Sequence, residues 1–128
     1  MKTKIITIIF YFFLSTNAFS HSQTPTKYGG KTNKLDSIST KQIKIVPISI
    51  KNLNAYAQAY EIYINNIKVG KTNKLIKNQE LKVDVPVKIK EANKLLRYDI
   101  CTLSISNTKS EMFRTKICTK SYLFWVKN

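Results

Sequence analysis

The clearest pattern in the chain is the run LKVDVPVKIK. Leu81, Val83, Val85, Val87 and Ile89 fall on one side, and Lys82, Asp84, Pro86, Lys88 and Lys90 on the other. A period of two means an extended strand with one buried and one wet face. Pro86 has no N–H to give to a ladder, which places this strand at a sheet edge or beside a bulge. YEIYINNIKVGK reads as a hairpin. Tyr60, Ile62 and Ile64 share a face, and Asn65-Asn66 supplies the positive-φ residues that a two-residue primed turn demands. This register sets Ile64 opposite Ile67 and Ile62 opposite Val69, both apolar pairs. In IKIVPISIK the apolar parity slips between Ile45 and Ile48, which predicts a bulge at Val46-Pro47. YDICTLSIS and MFRTKICTK predict a further hairpin across NTKSE. SYLFWVKN is apolar on both faces and reads as a strand covered on both sides. The best helical candidate, IKEANKLLRY, is short. Six or seven short strands without a sustained helical period predict an all-β chain, an antiparallel β-sandwich over residues 43–128.

The flanks differ. Residues 21–42 are polar, rich in Ser, Thr, Lys and Gly, and predict a flexible arm. Residues 1–20 have the layout of a secretory signal peptide: Lys2 and Lys4, an apolar run from Ile5 to Leu14, then Ala18 and Ser20 at the spacing a signal peptidase accepts. The apolar run is about half the ~20 residues of a membrane-spanning helix. No later stretch is long and apolar enough to span. Cleavage after Ser20 leaves one small domain exported to the periplasm or the extracellular space.

Export changes the reading of Cys101 and Cys118, the only two cysteines. An oxidising compartment favours a disulfide. The pattern complicates it. If Leu103 and Ile105 face the core with Phe113 and Ile117, paired positions sum to an even number, whereas 101 and 118 sum to an odd one. The expectation is therefore a bond beside a bulge, or two free thiols.

Charge adds a second constraint. Lys and Arg number 22 against 7 acids, and the formal net charge of +15 becomes +13 once Lys2 and Lys4 leave. Such a field attracts anionic lipid, glycan, nucleic acid or an acidic protein. Abundant Lys, Asn and Ile also follow from A/T-rich codons, although codon bias does not explain so few acids. Only Arg97 and Arg114 offer the guanidinium fork that reads phosphates and base edges, so specific nucleic-acid recognition is not expected.

GKTNKL occurs twice, at Gly30–Leu35 and Gly70–Leu75. A phosphate-binding loop needs Gly-x4-Gly-Lys-Ser/Thr between a strand and a helix. The required first glycine is Pro25 in one copy and Asn65 in the other, and neither copy is expected to lead into a helix. No nucleotide is expected. The flanks of the copies do not match, so this is no structural repeat.

Residues 43–89 resemble the bacterial immunoglobulin-like modules of the CARDB and fibronectin-III-like kind. Asn52, Ala57, the Tyr60–Gly70 hairpin, Leu75 and Glu80 stand where those modules place a strand-end Asn, a loop Ala, a hairpin and the Leu-x-x-Gly-Glu/Gln run. Asn78 replaces the usual Gly, a swap that a positive φ tolerates. The resemblance implies an immunoglobulin-like sandwich serving as an extracytoplasmic binding or spacer module without catalysis. The cysteine pair departs from that pattern.

Candidate chemistry is sparse. One histidine, His21, excludes most acid–base and triad schemes, and the acids are dispersed. As the residue exposed by leader cleavage, His21 has an amine and imidazole suited to Cu(II), but no second His adds a ligand. No metal or cofactor is expected, and His21 is read as a flexible terminal residue. Of the aromatics Tyr56, Tyr60, Tyr63, Tyr122, Phe124 and Trp125, most are expected in the core. Tyr63 points away from Ile62 and Ile64 and, with Lys68 and Lys71, forms the candidate binding surface. The sequence thus predicts a non-enzymatic exported module that binds an envelope or surface protein. The alternative is a secreted cationic effector of anionic membranes or glycans.

Overall fold

A computed structural model of the chain describes residues 21–106 and 114–128. The leader, the NTKSE turn, Met112 and Phe113 lie outside the described residues. The rest is all-β in two sheets. A three-stranded antiparallel sheet has the order β1 (His21–Thr24), β4 (Ile43–Asn52), β7 (Glu80–Lys88). The second sheet is mixed, in the order β2 (Lys27–Gly29), β9 (Lys116–Trp125), β8 (Leu95–Ser104), β5 (Tyr60–Ile64), β6 (Ile67–Lys71). The two-residue β3 (Ile38–Ser39) joins β9 further along, and both β2 and β3 run parallel to it.

The alternation in β7 is used as read. Val85, Val87 and Ile89 enter the core, and Pro86 sits on an edge strand. Asn65 (φ 47°) and Asn66 (φ 69°) make the predicted hairpin turn, and Ile64 pairs with Ile67. Ile62 pairs with Gly70 instead of Val69, because β6 carries a bulge that turns Val69 to solvent. The bulge expected at Val46-Pro47 is absent: β4 pairs continuously with β7 from Ile43 to Lys51. The parity slip is resolved by exposure. Ile43 and Ile45 face outward, while Val46, Ile48 and Ile50 face the core. Pro47 is tolerated because β1 pairs β4 only from Ser49 onward, leaving that flank of β4 open. IKEANKLLRY is a loop followed by the start of β8, which sends Tyr98 into the core.

The expected flexible arm, residues 21–42, is ordered and belongs to both sheets. β1 adds to the first sheet, the chain crosses at the cis Thr24–Pro25 peptide, and β2 then lies along β9. A one-turn helix, α1 (Lys34–Ser37), and β3 complete the segment. The first residues of the arm are polar because they fill a polar slot in the core. β8 and β9 turn Thr102, Thr119 and Ser121 inward, all fully buried, and β1 brings His21 and Gln23 to meet the two threonines. Gln23 donates to the Ile100 carbonyl (2.9 Å) and to Thr119 Oγ1 (2.7 Å), and accepts from Thr102 Oγ1 (2.7 Å). Buried polar groups are stable when so paired.

The same slot explains the cysteines. β8 and β9 pair without a bulge, and Cys101 stands directly opposite Cys118. The two form a disulfide with Cα atoms 4.0 Å apart. The bond exists, but the expected bulge does not. Threonines and serines, not Leu103, face inward here, so Leu103 and the disulfide share the outer face.

Candidate binding surfaces on the outer face of the larger sheet

Two groups of side chains lie on the face of the larger sheet that points away from the smaller one. The first contains the residues singled out from sequence. Tyr63 and Lys68 are partners across the β5–β6 ladder, and Lys71 stands opposite Glu61. All three gather about Glu61, which the sequence reading missed. Its carboxylate accepts from the Tyr63 hydroxyl (2.9 Å) and from Arg114 Nη2 (2.6 Å), and pairs with Lys68 Nζ (2.9 Å). The hydrogen bonds from Lys68, Arg114 and Tyr63 hold this carboxyl down at about 2. Tyr63 is half-buried and turned to Glu61, and Lys68 is committed to the same partner. Lys68 and Arg114 share this one carboxylate, so the cluster keeps a net positive charge, to which the exposed Lys71 adds.

The second group lies at the other end of the sheet, and no pattern in the sequence marks it. After β2 the chain loops over β9. Gly29 has φ +74°, and a Cβ there would meet the Ser37 hydroxyl and stand 2.5 Å from the Tyr122 carbonyl oxygen, so the close approach needs glycine. Gly30 N–H donates to Ser37 Oγ (2.6 Å), closing the loop onto α1. Beneath it Phe124 of β9 pairs with both Leu95 of β8 and Ile38 of β3. Gly30, Lys31, Lys34, Ser37, Ile38, Leu95 and Phe124 line an open, almost wholly apolar pocket of about 350 Å³. Leu95 is 54 % exposed and Ile38 44 % exposed beside it. SYLFWVKN is thus not buried on both faces as expected: Leu123 lies in the core, whereas Phe124 on the other face is half-buried and lines this open pocket. Of the aromatic set Tyr60 is fully buried and Trp125 packs on the core. Tyr122 and Phe124 face outward, and Tyr56 is half exposed.

The first GKTNKL copy therefore builds a pocket rim. α1 begins within it at Lys34, contrary to expectation, but as a single turn and without the preceding glycine of a phosphate loop. The second copy buries Thr72 and Leu75: Thr72 Oγ1 accepts from the Tyr60 N–H (3.0 Å), and Leu75 exchanges backbone hydrogen bonds with Gln58.

His21 is neither flexible nor directed to solvent. It is 1 % exposed, with Nε2 2.9 Å from Thr102 Oγ1 and its ring 4.5 Å from that of Tyr60. Burial pushes its pKa from 6.5 down to about 4, against the smaller opposing effect of a hydrogen bond to the Thr102 backbone. A pKa depressed by folding means that the unfolded chain binds the proton first. Stability is then full above pH 6.5 and falls as pH drops towards 4. At pH 5 this group alone is expected to remove about 2 kcal/mol. Guanidinium unfolding at pH 7.5 and pH 5 checks this, and His21→Gln should flatten that interval. An unchanged slope in the variant would refute it. The Glu61 contribution is separate: it is present above pH 4.5 and lost as pH falls towards 2.

Among the described residues no group of three or more His, Cys, Asp or Glu is placed to hold a metal, and no helix is long and apolar enough to cross a membrane. No protein-family model matches the chain, and a search of curated proteins finds no match.

Proposed function

We propose that the protein is an exported, non-enzymatic binding module of the cell envelope that contacts another envelope or surface component through the outer face of its larger sheet. The observation that carries this reading is the lysine-rimmed apolar pocket, a concave apolar site of the kind that ligands and partners use. The disulfide supports export to an oxidising compartment. The engagement of the single histidine inside the core supports a role without acid–base catalysis.

Strand order supports an immunoglobulin-like module. β1, β4 and β7 stand as strands A, B and E, and β6, β5, β8 and β9 as C′, C, F and G. Tyr98, near the start of β8, accepts at its hydroxyl from the Lys90 N–H (2.8 Å), as the tyrosine corner of such domains bonds upstream backbone. Ile100, two residues on and fully buried, then fills the place of the usual inter-sheet cysteine, and the disulfide has moved to the neighbouring strand pair.

The test is a capture experiment from envelope extract, with protein purified after expression of the full chain as bait, washed at low and then high salt. A component kept through the high-salt wash by the wild type and lost by Leu95→Glu supports a dedicated module acting through this face. Recovery of only anionic lipid or glycan, released by salt and indifferent to Leu95→Glu, would replace it with the cationic-effector reading.

A further inference from the structure

The pocket's chemistry narrows what it accepts, on the reading above that this face is the contact site. We propose that it binds a single-chain anionic amphiphile, a fatty-acid-like monocarboxylate, with the chain against Ile38, Leu95 and Phe124 and the carboxylate between Lys31 and Lys34.

The lining decides the tail. Ile38, Leu95 and Phe124 present carbon, and the one side-chain hydroxyl, Ser37 Oγ, is 4 % exposed as a residue and already accepts from the Gly30 N–H. A peptide laid in this pocket would bring amides that find no partner, and unpaired amides in an apolar site are costly. Strand addition is blocked as well, because β2 and β3 already occupy this edge of β9. An acyl chain has no polar groups to satisfy. The volume of about 350 Å³ lies near the lower end of small-molecule pockets, which span roughly 300–1,000 Å³, and suits one slim chain.

The rim decides the head. Lys31 and Lys34 line the mouth and are exposed. Lys27 Nζ lies nearby, 5.4 Å above the Tyr122 ring, and Lys44 Nζ is 3.4 Å from the Ile38 carbonyl oxygen. The acid of the loop, Asp36, lines the adjoining depression with Lys31 and Lys34 and not this pocket. An anion is therefore favoured over a neutral or cationic head.

The test titrates dodecanoate into the purified protein by calorimetry, with dodecanol as the uncharged control. Saturable binding of one dodecanoate per chain is expected, with dodecanol weaker. Leu95→Glu, which sets a carboxylate in the pocket from a half-exposed position, should weaken dodecanoate binding by at least about tenfold. Lys31→Glu with Lys34→Glu changes only exposed rim residues and should weaken it several-fold while the melting temperature holds. The double variant decides the matter if Leu95→Glu fails to fold. The proposal is overturned if the wild type shows no saturable binding or if the folded variants bind as tightly as the wild type. It also falls if the protein binds vesicles of phosphatidylcholine and phosphatidylglycerol but not dodecanoate. A partner captured through this face despite failure with dodecanoate would leave the module reading intact and remove only this ligand.

Discussion

Replacing Asn52 with alanine is expected to lower the unfolding free energy by about 3–5 kcal/mol, among the largest effects of any single substitution in this chain. Asn52 ends β4 and is fully buried. Its amide donates to the Tyr56 carbonyl (2.9 Å) and the Leu75 carbonyl (2.8 Å). Its oxygen accepts from the Asn54 N–H (2.9 Å) and the Tyr60 hydroxyl (3.1 Å). One side chain therefore ties β4 to the loop after it, to β5 and to the segment after β6. Alanine keeps the backbone bonds of residue 52 with Asn78 and Gln79 but removes all four of these at once. Each buried group left unpaired costs about 1–3 kcal/mol, and relaxation of the loop recovers part of the sum. Asn52→Asp keeps the acceptors and loses both donors, so it should also destabilise. Urea titration of the three proteins measures the effect. A loss under about 1 kcal/mol for alanine would show that the network does not hold the loop.

Removing the disulfide comes next. Cys101 and Cys118 lie 17 residues apart in sequence, and their bond restrains a short loop of the unfolded chain. That restraint contributes on the order of 3 kcal/mol. For a domain of this size the melting temperature of the reduced protein should fall by roughly 15 °C. The comparison uses melts with and without a thiol reductant, together with Cys101→Ala/Cys118→Ala. Cys101 is 2 % exposed but Cys118 is only half-buried on the outer face, so a reductant is expected to attack from the Cys118 side. Reduced protein with an unchanged melting temperature, its two thiols verified by mass, would show that pairing of β8 with β9 needs no covalent support.

Much of the fold is legible because local rules suffice for it. The two-residue period of β7 names its core face, Pro86 marks an edge, and Asn65-Asn66 fixes a hairpin. The errors share one physical origin. A hydrophobic pattern marks only an apolar interior, and part of this interior is polar. His21, Gln23, Thr102 and Thr119 satisfy one another across both sheets, through pairs separated by 77 to 96 positions in sequence. No local pattern reports a hydrogen bond over that distance. Reading the arm as flexible and placing Leu103 inward were therefore one mistake seen from two strands.

The two copies of GKTNKL divide the question most sharply. By itself the sequence determined an all-β chain, most of its strands, one turn and the cysteine pair, since each depends on neighbours in sequence or on residue type. It could not assign different fates to two identical hexapeptides. Leu75 is 2 % exposed because it exchanges hydrogen bonds with Gln58 and joins the core, whereas Leu35 is 86 % exposed on α1, in a segment pinned by Gly29 against β9. The pocket beside that loop exists only because β2, β3, β8 and β9 meet there. Which surface is buried is set by what packs against it, and that is decided by the tertiary fold.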